Sequence, residues 1–218
     1  GESLIRLVRL LDRVLGLEKI RLTGGEPLIA PNLKAVLEGL SHIKIPTSIT
    51  TNGQFLAKHA QALHDAGVTA VNVSLDALDP AAFDAMAGGG DVDSVLAGIE
   101  ASLALGQRIK MNTVPMRSKN IDQLAPLFDY CATRGIELRF IELMRMGHLS
   151  DRTLFEKEFI SEAEIVEILS VFGNAQELPR KAHSTSRSYQ NPKGRFGFIA
   201  NESAPFCGDC DRLRLTSD

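Results

Sequence analysis

Five segments of this chain alternate apolar and polar residues with the period of a β-strand, and this alternation constrains the fold more than any other feature of the sequence. They are Ile20 to Thr23, Ser48 to Asn52, Val71 to Asp76, Ile109 to Val114 and Ile136 to Ile141. Their polar sets are Arg21/Thr23, Ser48/Thr50/Asn52, Asn72/Ser74/Asp76, Lys110/Asn112 and Glu137/Arg139. Helical segments separate the strands, so the sheet is expected to be parallel, and parallel strands covered by helices on both faces ordinarily read as apolar throughout. These do not. If the apolar faces pack on helices, the polar faces line an interior that is wet or holds a polar ligand. The expectation is an open or partial α/β barrel whose strand ends form the site, rather than a flat doubly wound sheet.

The helical stretches fit that plan. Leu4, Leu7, Leu11 and Leu15 recur at helical spacing before Gly16. Leu33, Val36, Leu37 and Leu40 mark a second helix, and Leu56, Ala60 and Leu63 a third. Asp79 is placed to cap a helix that starts at Pro80, and a further helix shows Val95, Ile99 and Leu103. Ile121, Leu124, Phe128 and Cys131 form the stripe of the last helix in the alternating series. The tail differs in kind: Ser161 and Glu164 form a capping box, and Arg187 to Gln190 with Arg195 to Ala200 read as a β-hairpin laid over one end of the barrel. Residues 1–150 are therefore assigned to the partial barrel and 151–218 to a C-terminal extension.

With 218 residues, 44% of them apolar, the chain can bury a sizeable core. A formal charge of −3 argues against a general nucleic-acid or membrane-surface binder, and no apolar run reaches the roughly 18 residues of a membrane span. The expected location is the cytoplasm. Three cysteines do not make a disulfide framework.

Gly24-Gly25-Glu26-Pro27 follows the first strand. Its glycines permit a ligand to approach the backbone closely, and Glu26 adds a negative charge suited to an ammonium or sulfonium group; the plainer alternative is a β-turn before a helix. By alternation Arg21, Lys110 and Arg139 point into one interior, where buried cations need partners that a phosphorylated ligand would supply. Internal ion pairs with Glu137 or Asp76 are the alternative. Cys207 and Cys210 form a CxxC that suits zinc or an iron–sulfur cluster, each needing further ligands, and suits a redox dithiol less well after a tail hairpin. Cys131 reads as core, and His42, His59, His64, His148 and His183 as surface or packing residues.

In this order and spacing, Arg21-Leu-Thr-Gly-Gly-Glu-Pro27, Thr50-Thr-Asn-Gly53, Asn72-Val-Ser-Leu-Asp76, Lys110-Met-Asn112, Arg139-Phe-Ile-Glu-Leu-Met144 and Phe206-Cys-Gly-Asp-Cys-Asp-Arg-Leu-Arg-Leu-Thr216 resemble the radical S-adenosylmethionine GTP 3′,8-cyclase family of molybdenum cofactor biosynthesis. The resemblance implies an incomplete TIM-type barrel of the radical SAM kind with two 4Fe-4S clusters. It implies that S-adenosylmethionine lies against Gly24 and Gly25, with Glu26, Ser74 and Met144 completing that pocket. It implies GTP held by Arg21, Thr50, Lys110, Arg212 and Arg214, with Arg139 and Lys110 acting at the reacting centre and Cys207 and Cys210 ligating a cluster. In that family's lyase chemistry a 5′-deoxyadenosyl radical takes hydrogen from the ribose C3′ of GTP, and the nucleotide closes onto guanine C8.

The family's N-terminal CxxxCxxC and the third cysteine of its C-terminal cluster have no counterpart here. The reading is truncation at both ends, with radical chemistry expected of the parent enzyme and not of this polypeptide. The implied partners are GTP, S-adenosylmethionine and an electron donor, with no nucleic acid and no membrane, and a homodimer among the expected states. Two other classes compete: a Schiff-base lyase using Lys110 with Arg21 and Arg139 on phosphate, and a non-catalytic nucleotide- or metal-binding remnant.

Overall fold

The computed structural model describes residues 1–180, 186–203 and 212–215, gathered into two compact units, Gly1–Asn112 and Thr113–Asp218. In the first unit, α1 (Glu2–Leu15) precedes β1 (Ile20–Leu22), a short 3-10 turn (Pro27–Ile29) and α2 (Leu33–Ser41). Then come β2 (Thr47–Thr51), α3 (Leu56–Asp65), β3 (Val68–Ser74), α4 (Pro80–Ala87), α5 (Val92–Ala104) and β4 (Arg108–Thr113). The strands pair in chain order, β1-β2-β3-β4, all parallel, as helical crossovers require.

The pairing register turns the alternation into two distinct faces. One carries Ile49, Val71, Val73 and Met111, all fully buried against helices that contribute Leu56, Leu63 and Ile99. Each such side chain contributes about 1.5–3 kcal/mol on burial. The other face is polar. Arg21, Ser48, Ala70 and Arg108 lie side by side in one row, Thr50, Asn72 and Lys110 in the next, and Ser74 and Asn112 in a third toward the C-terminal ends.

Asp79 caps α4 as expected, its carboxylate accepting from the Ala82 N–H at 2.9 Å, with Pro80 in the first helical position. In α1 the buried stripe differs from the leucine series. Ile5 and Val8 are buried, and Ile5 packs with Val36 and Leu40, whereas Leu7 and Leu15 are exposed. Eight of the 14 positions of this helix are apolar, in adjacent pairs, so spacing alone admits more than one stripe, and packing against α2 selects the face.

The second unit holds α6 (Leu124–Thr133), β5 (Glu137–Ile141), α7 (Arg152–Glu158), α8 (Glu162–Ile168), β6 (Gln176–Leu178), β7 (Arg187–Gln190) and β8 (Arg195–Ile199). The capping box is present at α8: Glu164 N–H donates to Ser161 Oγ, and Ser161 N–H donates to Glu164 Oε2 at 3.0 Å. The hairpin β7–β8 forms, but it does not lie over an end of a barrel. β8 pairs in parallel with β5, Leu138 beside Phe196 and Phe140 beside Phe198, while β7 and β6 continue the sheet antiparallel. An open edge on β5 exposes unpaired N–H and C=O groups, and pairing with β8 satisfies them. Phe196 anchors this arrangement with edge-on contacts to Phe128 and Phe140 and a stacked contact to Tyr189. No described helix is long and apolar enough to cross a membrane.

Candidate functional site

The polar face of β1–β4 is where the expected ligand residues of the first unit collect. Thr50 and Lys110 flank Asn72 in a single row. At about 4.8 Å per strand their α-carbons are about 10 Å apart. Arg21 lies on the same face one row earlier and three strands from Lys110, about 15 Å away. That span exceeds the Debye length of about 8 Å, so the two cations do not repel strongly, yet both can reach a ligand of nucleotide size.

Three details of this face differ from the sequence expectation. Arg21 is exposed, because β1 has only β2 beside it in this unit. Ser48 and Asn72 are buried and bond to the neighbouring strand's backbone: Ser48 Oγ donates to Ile20 O at 3.3 Å, and Asn72 Nδ2 donates to Ile49 O at 3.1 Å. These two polar groups join strands. The half-buried Lys110 and Thr50 remain on either side.

At the tip of β1, ideal Cβ atoms on Gly24 and Gly25 would meet nothing within 4 Å, so open space lies over that turn. Glu26 has a definite structural task. Its Oε1 accepts from Leu28 N–H at 3.0 Å and from Thr51 Oγ at 2.7 Å, and its Oε2 accepts from Asn52 N–H at 2.7 Å. One carboxylate thus caps the 3-10 turn and fastens the end of β1 to the end of β2. Thr51 Oγ in turn accepts from Gly53 N–H at 3.0 Å. Gly53 has φ +83°, and a Cβ there would sit 2.7 Å from Val95 Cγ1, so both the turn and the close approach of α5 require glycine.

Beyond these tips lies a cavity of about 210 Å³ lined by Asn52, Gln54, Ser74, Asp76, Phe83, Met86, Ala87 and Gly89. Polar groups from the C-terminal ends of β2 and β3 face an apolar wall from α4, the mixture expected of a small-molecule site at such strand ends. Ser74, anticipated as a ligand contact, is exposed at the end of β3 and lines this cavity. Gln54, Phe83 and Met86 were not anticipated. The turn carrying Gln54 follows a polar-faced strand, which is the signal that could have found it; the α4 residues carry none.

In the second unit, Arg139 is half-buried on β5 opposite Gly197 of β8, where a Cβ would stand 3.3 Å from Arg139 Cγ. The missing side chain at Gly197 leaves room for the arginine stem. Glu142, 2% exposed at the end of β5, accepts from the backbone N–H groups of Glu202 at 2.6 Å and Ser203 at 2.9 Å. Met144 is 42% exposed in the loop after β5. Arg212 and Arg214 are exposed, and Cys207 and Cys210 lie outside the described residues. Cys131 is fully buried, and burial pushes its thiol up to about 12, as suits a core residue.

Two cofactor classes can be set against this chemistry. The open space above Gly24 and Gly25, beside a cavity with a serine and carboxylate rim, fits a small zwitterionic nucleoside derivative such as S-adenosylmethionine. No group of three metal-ligating side chains occurs among the described residues, so those residues provide no cradle for an iron–sulfur cluster.

Fold and site together define an α/β protein of the incomplete-barrel class with a polar-rimmed cavity at the C-terminal ends of its parallel strands. Residues 2–131 match the Radical SAM superfamily and residues 136–218 match Molybdenum Cofactor Synthesis C. The chain belongs to the Radical SAM superfamily, whose chemistry uses S-adenosylmethionine and a 4Fe-4S cluster, and the fold class read from the sequence is borne out. GTP 3′,8-cyclase 1 of Pseudomonas aeruginosa is 38% identical over 208 residues, covering 92% of this chain and 62% of that protein. GTP 3′,8-cyclase of Campylobacter fetus is 37% identical over 206 residues, covering 93% and 63% respectively. This chain therefore spans less than two thirds of these curated relatives. The crystal structure of Streptococcus suis SuiB bound to precursor peptide SuiA aligns with a TM-score of 0.60 at 21% identity over 68% of this chain and 34% of that one, a likeness of fold.

Proposed function

We propose that the protein containing this chain is a GTP 3′,8-cyclase, a radical S-adenosylmethionine lyase of molybdenum cofactor biosynthesis. The observation that carries this reading is the register of the polar face, which sets Thr50 and Lys110 in one row and Ser74 one row nearer the cavity. The names of the relatives point the same way. Residues 1–150 would supply the barrel portion and 151–218 the C-terminal portion.

In this reading Gly24, Gly25, Glu26, Ser74 and Met144 hold S-adenosylmethionine. Arg21, Thr50, Lys110, Arg212 and Arg214 hold GTP, Arg139 and Lys110 border the reacting centre, and Cys207 and Cys210 ligate one of two 4Fe-4S clusters. When bound, S-adenosylmethionine with its reduced cluster supplies a hydrogen-abstracting radical. The chain's own residues bind and orient: the Lys110 ammonium and Arg21 guanidinium attract phosphate oxygens, and the Thr50 hydroxyl offers a hydrogen bond between them. The apolar wall of Phe83, Met86 and Ala87 restricts water on the cavity side. An external electron donor and a homodimeric state belong to the same proposal.

The test is GTP binding by titration calorimetry, together with mass-spectrometric detection of cyclised GTP by the anaerobically loaded protein. Lys110→Ala is expected to weaken GTP binding by about 1.5–3 kcal/mol, the range for a lost charged hydrogen bond. Affinity unchanged by that substitution would remove the nucleotide assignment. Borohydride trapping of a carbonyl compound on Lys110 would replace it with the Schiff-base reading.

A further inference from the structure

A run of three glycines borders the cavity. Gly88, Gly89 and Gly90 join α4 to α5 with φ of +67°, +128° and +106°, and an ideal Cβ on Gly88 or Gly89 would meet no atom within 4 Å. A loop of this kind has no side chains with which to hold its own position. Yet Gly89 lines the cavity, and α4, whose Phe83, Met86 and Ala87 form the apolar wall, hangs from the loop's other end.

Gln54 supplies the fixed point. Its Oε1 accepts from Asp91 N–H at 3.0 Å and its Nε2 donates to Asp91 O at 3.0 Å, a two-way bridge between residues far apart in sequence. Asp91 is itself the N-cap of α5, its carboxylate accepting from Ser94 N–H at 2.9 Å and Ser94 Oγ at 2.6 Å, and these bonds hold it below the usual carboxylate range. Gln54 is held in turn: its N–H donates to Asn52 Oδ1 at 3.1 Å, and the preceding Gly53 lies against Val95 of α5. The bridge therefore runs from the tip of β2, through Gln54, to the point where the glycine loop becomes helix.

We propose that Gln54 is a positioning residue: by bridging Asp91 it pins the α5 end of the glycine loop, so that the loop and α4 form a defined wall for the adenosyl-bearing ligand of this cavity. The inference rests on the reading of the cavity as the S-adenosylmethionine site and adds a residue that acts on the ligand through the loop. The glycines then serve as the hinge about which α4 settles on the ligand, with Gln54 as its post.

The test pairs amide hydrogen exchange with ligand affinity, using Gln54→Met, which keeps the side-chain length and removes both bonds, and Gln54→Glu, which keeps an oxygen for the Asp91 N–H. In Gln54→Met the Asp91 amide is expected to exchange about tenfold faster, with β2 and β3 amides unchanged. The dissociation constant for S-adenosylmethionine, measured on the anaerobically loaded protein, is expected to rise about five- to twentyfold. Gln54→Glu is expected to retain most of the Asp91 protection. Unaltered Asp91 exchange in Gln54→Met, or faster exchange with affinity within twofold of the parent protein, would overturn the proposal. A parent protein that does not bind S-adenosylmethionine would instead overturn the assignment of the cavity, while exchange at Asp91, which needs no ligand, would still decide whether the bridge holds the loop.

Discussion

Replacing Glu26 by alanine separates a structural from a ligand-binding role for the Gly24-Gly25-Glu26-Pro27 turn. The carboxylate accepts three hydrogen bonds, two of them at 2.7 Å, a length usual for bonds to a charged acceptor. Leu28 is 3% exposed and Thr51 2% exposed, so two of the donors released by Glu26→Ala lie where water reaches poorly. Asn52 is exposed and its N–H would be rehydrated. A bond to a charged group contributes about 1.5–3 kcal/mol in favourable cases, and the solvated third reduces the total, so a loss of about 2–4 kcal/mol in unfolding free energy is expected. Glu26→Gln keeps the oxygen shared by Leu28 and Thr51 but cannot accept from Asn52 N–H through its nitrogen; it should lose about 1–2 kcal/mol. Urea unfolding of the chain followed by circular dichroism measures both variants. A change under about 0.5 kcal/mol in Glu26→Ala would refute the reasoning, since water would then be replacing the carboxylate at every donor.

Arg117 donates to Glu164 Oε1 at 2.6 Å and, with the Ser161 bonds, brings the Glu164 carboxyl down to about 2. A carboxyl lowered on folding contributes stability that is complete above its unfolded value near pH 4.5 and is lost as pH falls from there toward 2. Both partners are over 40% exposed, so screening limits the contribution to about 1 kcal/mol; Arg117→Ala should flatten the acid limb of a stability profile measured between pH 3 and pH 6. Gly53→Ala places a methyl 2.7 Å from Val95 Cγ1 at a φ of +83°, and a loss of about 2–4 kcal/mol is expected in thermal unfolding. Val95→Ala in the same chain should restore the steric share and leave the backbone share of about 1 kcal/mol; no recovery in the double variant would show that strain at residue 53 accounts for the whole effect.

The polar face was legible in the sequence because a strand repeats every two residues, so Thr50, Ser74 and Lys110 could be assigned to one side without coordinates. The caps at Asp79 and Ser161 were legible for a similar reason, since each depends on neighbours within three positions. What escaped was long-range. Whether Asn72 faces a ligand or bonds to Ile49 O depends on a strand more than twenty positions away, and Gln54 finds its partner only through the fold. The exposure of Arg21 depends on how many strands flank β1, and the burial of Ile5 in place of Leu7 depends on where α2 lies. Local pattern supplied the composition of the face; pairing decided which of its members stay available to a ligand.

The insertion of β8 between β5 and β7 bears on how the second unit is made. On a ribosome β5 emerges more than fifty residues ahead of the strand that completes one of its edges, at residues 195–199. Until those residues are released, a run of unpaired backbone beside Leu138 and Phe140 stays open to mispairing with other nascent chains. Closing that edge requires a contact of high sequence separation, so maturation of this unit should be slow and sensitive to chaperone supply, and a ribosome stalled before Arg195 would leave an aggregation-prone product.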